Sequence, residues 1–164
     1  MKWIGPLFTN AGGWSAFVSY HNGEWCIDKD NPIKIGEGRS GMMLLPILQK
    51  GYGENYDHQI ALIQSGLKAI GMDENLAYGF PFHVPVLTAF KLIMPHWAGM
   101  AADWIPFIEI NNERAQLLFD ACQDKAFSQK TRHSVLKIVN GWAKQQGFSF
   151  VRGTALTDNT PERA

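Results

Sequence analysis

Trp14-Ser15-Ala16-Phe17-Val18-Ser19-Tyr20-His21-Asn22-Gly23-Glu24-Trp25-Cys26-Ile27-Asp28 reads as two aromatic and β-branched runs meeting at Asn22-Gly23. Asn-Gly supplies the two positive φ angles of a tight turn, so the stretch predicts a β-hairpin. An isolated two-stranded ribbon is marginal in water. The ribbon therefore needs a third strand from Trp3–Phe8 or Pro32–Ile35, or the helices that follow. Asp28 to Gly41, rich in Gly, Asp, Asn and Lys, reads as a connection.

Beyond it the apolar period lengthens to 3.6. Asn55 is placed to cap a helix in which Ile60, Ile63, Leu67 and Ile70 share a face, with Gly71 as its left-handed terminator. Asp73 is placed to cap a short turn, and the prolines in Gly79–Pro85 predict an apolar loop. Val86–Met94 is apolar nearly all round and reads as the central buried helix, kinked or ended by Pro95. Helical character is expected from Trp97 to Trp104 and on to Pro106. A further helix begins near Asn111 or Asn112, with Ala115, Leu118, Phe119 and Cys122 on one face. The last helix is capped by Ser128 or Thr131, carries Val135, Val139 and Trp142 on one face, and stops at Gly147. The expected architecture is α+β: a mainly helical single domain over residues 1–152 with an N-terminal β-hairpin or small antiparallel sheet. Residues 153–164 are expected to form a disordered tail.

The chain has 164 residues, enough to bury about 69% of its unfolded surface without covalent staples. Its 15 Lys+Arg balance 15 Asp+Glu, which argues against a bulk polyanion binder. Cys26 and Cys122 are the only cysteines and belong to no C-x-x-C pair, so a disulfide scaffold, a structural zinc and any other metal site are not expected. Val84–Ile110 is broken by Pro85, Lys91, Pro95, His96, Asp103 and Pro106, which makes it core and not a membrane span. The first residues read as mature sequence without a signal peptide, and the expected compartment is the cytoplasm.

The neutral total conceals an asymmetry. Lys125, Lys130, Arg132, Lys137, Lys144 and Arg152 lie in a stretch without acids, while Asp103, Glu109, Glu113, Asp120 and Asp124 precede it with Arg114 as the one nearby cation. Lys130, Lys137 and Lys144 repeat every seven residues, drift about 20° per heptad and form one ridge. The ridge is either a solvated helix face or a surface for phosphates or an acidic partner.

Glu54, Asp57 and His58 cluster at a helix start with Tyr52 and Tyr56, a mixture that suits acid–base work but equally suits a capped first turn. His96 and Asp103 lie two helical turns apart beside Trp97 and Trp104 and are candidates to line a cleft. His83 sits among apolar neighbours and reads as a core histidine. There is no nucleophile elbow, and Gly36–Gly41 lacks the ending of a phosphate loop. Cys26 beside Asp28 is expected to have a raised thiol pKa.

Six Trp, ten Phe and four Tyr exceed the needs of one small core, and Trp14, Tyr20 and Trp25 crowd the ribbon, where alternation exposes one face. The leading expectation is a non-catalytic macromolecule-binding protein without a cofactor. It is read as a stoichiometric inhibitor or immunity-type neutraliser of bacterial or phage origin, whose partner surface includes Trp14, Tyr20, Trp25 and the lysine ridge. The alternatives are a small hydrolase pairing His58 or His96 with a nearby carboxylate, and a nucleic-acid binder using the basic C-terminal helix.

Overall fold

In the computed structural model, which describes residues 1–152, Asn22 and Gly23 take φ +51° and +80° and close the expected turn. Strands β1 (Val18–His21) and β2 (Glu24–Ile27) run antiparallel, with Val18 opposite Ile27 and His21 opposite Glu24. Both proposed partner segments are used. Strand β3 (Ile33–Lys34) pairs with β2, and Ile4 exchanges backbone hydrogen bonds of 2.7 and 2.9 Å with Val18 across the other edge of the ribbon. These contacts shorten the rows of unpaired N–H and C=O groups that would otherwise invite aggregation. Replacing Gly23 by Val is expected to cost about 1–3 kcal/mol, because a β-branched residue is strained at positive φ. Urea denaturation measures it, and an unchanged midpoint would contradict this account of the turn.

Six α-helices follow among the described residues: α1 (Ser40–Leu44), α2 (Tyr56–Ala69), α3 (His83–Lys91), α4 (Pro95–Ala101), α5 (Asn112–Ala121) and α6 (Gln129–Gln146). Their starts obey local capping chemistry. The Asn55, Asn111 and Ser128 side chains accept from the backbone N–H three residues on, and Asp73 accepts from Asn75 N–H at a short 3-10 turn. Gly71 (φ +76°) follows α2 and Gly147 (φ +68°) ends α6 in the left-handed conformation.

Three boundaries differ from expectation. The Gly-rich connection gives way to α1 at Ser40, whose Oγ accepts from Gly36 N–H at 2.8 Å and donates to Glu37 O at 2.6 Å. Gly41 there lies so close to Thr88 of α3 that a Cβ would collide with the threonine hydroxyl, so this glycine serves helix packing. Helix α3 begins at His83, inside the expected loop, because Pro85 falls in the first turn, where its missing N–H has no intrahelical acceptor to serve. It ends at Lys91, and Pro95 opens α4 instead of kinking α3. The α4 helix passes directly into a 3-10 segment, Ala102–Phe107, that contains Pro106.

Helix α3 is the central element, packed against α1, α4 and α5 with Val86, Ala89 and Phe90 buried. The result is a mainly helical α+β fold with a small N-terminal three-stranded antiparallel sheet. Phe148–Arg152 returns along α5, where Phe150 stacks on Phe119 at 4.3 Å and Val151 exchanges two hydrogen bonds with Gln116. The expected disordered tail, 153–164, lies outside the described residues.

Candidate functional site

Leu48–Tyr56 leads into α2, and Met100–Phe107 closes α4 and its 3-10 extension. Between these two segments lies an open cavity of about 400 Å³. Trp104 Nε1 donates to Leu48 O at 3.3 Å and ties the two walls together. The polar lining is Gln49, Lys50, Glu54, Asn55 and Asp103, and the aromatic lining is Tyr56, Trp104 and Phe107. Glu54 takes φ +60°, a left-handed conformation uncommon for a side-chain-bearing residue, immediately before the Asn55 cap. Glu24–Lys34 is the only ion pair within 4 Å among the described residues, so Lys50, Glu54 and Asp103 face the cavity without such partners.

Phe107 dominates the rim. It is 51% exposed and lies parallel to Tyr56, with ring centroids 4.8 Å apart and 9° between planes. Tyr56 also meets Phe82 and Trp104 edge-on at 5.3 and 6.4 Å. Burial, followed by the charges of Tyr78 and Asp57, raises the Tyr56 phenol pKa, so the hydroxyl stays protonated and can donate a hydrogen bond. On the other side of the Tyr56–Phe107 stack a second cavity, about 220 Å³, is bordered by Tyr78, His83, Glu109 and Arg114. Tyr78 is 61% exposed and accepts from Gln64 Nε2 at 3.1 Å. Arg114 Nη1 donates to Glu109 O at 2.6 Å. The two cavities with their shared stack form an aromatic-centred groove edged by charges of both signs.

His83 is half-buried. Desolvation first and the Arg114 charge second lower its pKa from 6.5 to about 4, so the ring is neutral at physiological pH. Above pH 6.5 the ring is neutral both folded and unfolded. As pH falls from 6.5 through about 4, the unfolded chain binds a proton that the folded chain refuses, and stability is lost across that window. Because solvent reaches the ring, the expected loss is about 1–2 kcal/mol. The test is to compare unfolding free energies of wild type and His83→Gln from pH 7 to pH 4. The variant should show the flatter dependence, and parallel curves would contradict the assignment.

The candidates from the sequence distribute unevenly. Glu54 and Asp103, drawn from two separate clusters, line the same cavity. Asp57 and His58 occupy the exposed first turn of α2 outside it, and His58 uses its backbone N–H to satisfy the Asn55 cap. His96 is exposed in the first turn of α4 with its ring edge-on to Trp97 at 5.3 Å, and it borders neither cavity of the groove. No histidine lies within 4 Å of a carboxylate among the described residues. No three His, Cys, Asp or Glu side chains are grouped to hold a metal ion among them either.

The aromatic surface differs from the expected one. Trp25 is 6% exposed and packs edge-on against Phe80 at 5.1 Å, so its indole is core and not part of an open face. Tyr20 is half-buried on Trp25, and Trp14 is half-buried on Phe8. Phe107 and Tyr78 are the exposed rings that sequence reasoning missed. Their only sequence signal was proximity to Pro106 and Gly79, residues that turn the chain at a surface. Lys130, Lys137 and Lys144 are all exposed on α6, opposite buried Val135 and Val139. Lys130 sits in the first turn, where the helix dipole disfavours a cation, whereas Lys144 sits favourably in the last.

Both cysteines are free. Burial raises the Cys122 thiol to about 11, and burial followed by the Glu24 charge raises Cys26, with Glu37 adding to it, so the acids acting on Cys26 are Glu24 and Glu37 and not Asp28. Neither thiol is set up as a nucleophile. Among the described residues no helix is long and apolar enough to cross a membrane. Comparisons of this chain with protein-family models, with curated proteins and with solved structures find no match.

Proposed function

We propose that the protein is a non-catalytic binder of another protein, a stoichiometric inhibitor or immunity-type neutraliser, and that it acts in the cytoplasm, with Phe107 as its central anchor. The observation that carries the reading is Phe107 itself: a half-exposed ring held rigid on Tyr56 between two hollows. A preordered aromatic ring surrounded by polar groups is the anatomy of an interface hot spot, because docking it costs little further side-chain entropy. Glu54 and Asp103 on one side favour a partner that presents a basic residue beside an apolar one. Two free cysteines agree with a reducing compartment.

The test is co-purification from the native host with tagged wild type, Phe107→Ala and a Lys130/Lys137/Lys144 triple Ala variant, followed by calorimetry on the protein recovered. The expected result is a 1:1 complex that Phe107→Ala weakens by about 2 kcal/mol or more, while the lost Tyr56 stack lowers the stability of the free protein by only about 1 kcal/mol. A partner retained by Phe107→Ala would sink the reading. Loss of a nucleic acid from the lysine variant alone would instead favour phosphate binding through α6.

A second reading, a small hydrolase, draws on the presence of Glu54 and Asp103 in one cavity, where paired carboxylates can divide acid and base roles. The histidines named from the sequence take no part in it. Turnover of any hydrolysable ester, amide or glycoside that is abolished by Glu54→Gln and by Asp103→Asn would establish it over the binding reading.

A further inference from the structure

On the surface formed by α1, α3 and α5, helix α3 ends in an unusual way. Ile93 N–H donates to Phe90 O at 3.1 Å and Met94 N–H to Ala89 O at 2.9 Å, the paired bonds of a Schellman C-cap. The left-handed position of that motif normally belongs to glycine, yet it is held by Ile93 at φ +51°, a conformation that β-branched side chains resist. The strained residue is not rewarded by burial. Ile93 is 48% exposed and its neighbour Leu92 51% exposed, and together they form an aliphatic ridge. Hollows flank it on both sides and meet at Lys91. One, of about 230 Å³, is bordered by Arg39, exposed Met42 and Leu92. The other, of about 300 Å³, has an apolar floor of Phe90, Leu117 and Ala121 and a rim of Asp120 and Asp124.

We infer that this face is the two-fold interface of a homodimer, in which the Leu92–Ile93 ridges of the two copies pack against each other along the axis. The argument for a second copy as occupant is charge complementarity. A two-fold axis through the ridge sets the Arg39 flank of one copy against the Asp120/Asp124 flank of its mate, and the same contact recurs by symmetry on the other side. The net neutrality of the chain leaves no global repulsion to oppose the pairing. The strain at Ile93 then has a function: a glycine there would relax the turn and delete the ridge. The groove at Phe107 lies elsewhere, so this inference does not depend on the proposed function.

The experiment is sedimentation equilibrium of the full chain over about 1 to 500 µM, since dimer stability is concentration-dependent. Wild type is expected to approach twice the monomer mass. Ile93→Gly is expected to weaken the dimer by at least about tenfold while raising the denaturant midpoint of the dilute monomer, a combination that a merely structural isoleucine would not produce. Arg39→Glu places an acid on each flank, and Asp120→Arg with Asp124→Arg places an arginine on each, with Lys91 common to both. Each variant alone should be monomeric, and their equimolar mixture should dimerise. Wild type that remains monomeric throughout, an Ile93→Gly chain that dimerises as tightly as wild type, or charge variants that fail to recover on mixing would each overturn the inference. Phe107→Ala should leave the dimer unaffected and tests the other surface separately.

Discussion

Gln59→Glu is expected to destabilise the fold by about 3–5 kcal/mol at neutral pH. Gln59 is a fully buried residue of α2, and its Nε2 donates to the backbone carbonyls of Leu7, at 3.2 Å, and of Gly53. One amide thereby ties the N-terminal segment that edges the sheet to the loop that leads into the candidate site. Its Oε1 has no hydrogen-bond partner among the described residues. A carboxylate in the same place would lose both donors, face two carbonyl oxygens and carry an unpaired charge into the core. Burial raises the pKa of that carboxyl above its unfolded value of about 4.3, so the folded state binds the extra proton. The deficit relative to wild type should therefore be greatest above the raised pKa, shrink as pH falls toward about 4.3 and level off below it. Urea unfolding at pH 7 and pH 5 for Gln59→Glu, with Gln59→Met as the uncharged control, measures both terms. A deficit below about 1 kcal/mol at pH 7 would mean the amide does not sit where these bonds place it.

Phe127→Ala should cost about 3–5 kcal/mol by opening a cavity under the α5–α6 connection. Phe127 is fully buried between those helices, with its ring 5.6 Å from that of Phe90 on the central helix, and its carbonyl accepts from Arg132 Nε at 3.2 Å. The ring therefore pins the start of α6 to α3, and the lysine ridge on α6 depends on that anchor for its placement. Phe127→Leu retains most of the volume and should cost less than half as much. Guanidinium denaturation of the two variants gives the comparison, and equal losses would show that the connection collapses around the missing ring instead of leaving a void.

Glu54 and Asp103 show how far the site could be read in advance. Glu54 stands out in the sequence beside two tyrosines at a helix start, and Asp103 stands out two helical turns after His96 beside Trp97 and Trp104. Nothing within a few residues of either one indicates that 49 positions of chain fold back to place them in one cavity. Their neighbours along the chain, His58 and His96, point to solvent outside that cavity, because helix geometry turns them away from it. The aromatic residues teach the same lesson in reverse. Alternation along β2 correctly separates two faces, but whether the Trp25 face is open depends on whether another element covers it, and Phe80 does.

What the amino-acid order determined by itself is the set of features whose energetics close within about four residues. The Asn22-Gly23 turn, the caps at Asn55, Asp73, Asn111 and Ser128, and the glycine terminators at Gly71 and Gly147 each rest on a hydrogen bond or φ angle that local chemistry specifies. The 3.6-residue apolar period likewise identified the buried faces of α2 and α6. Tertiary structure alone decided the start of α3 through Pro85, the left-handed Ile93 on an open surface, the joining of Glu54 with Asp103, and the burial of Trp25 while Phe107 stayed exposed. Each of these depends on which distant surface packs against the residue. Burial is a property of the assembled core, and no short window of sequence contains the surface that will cover it.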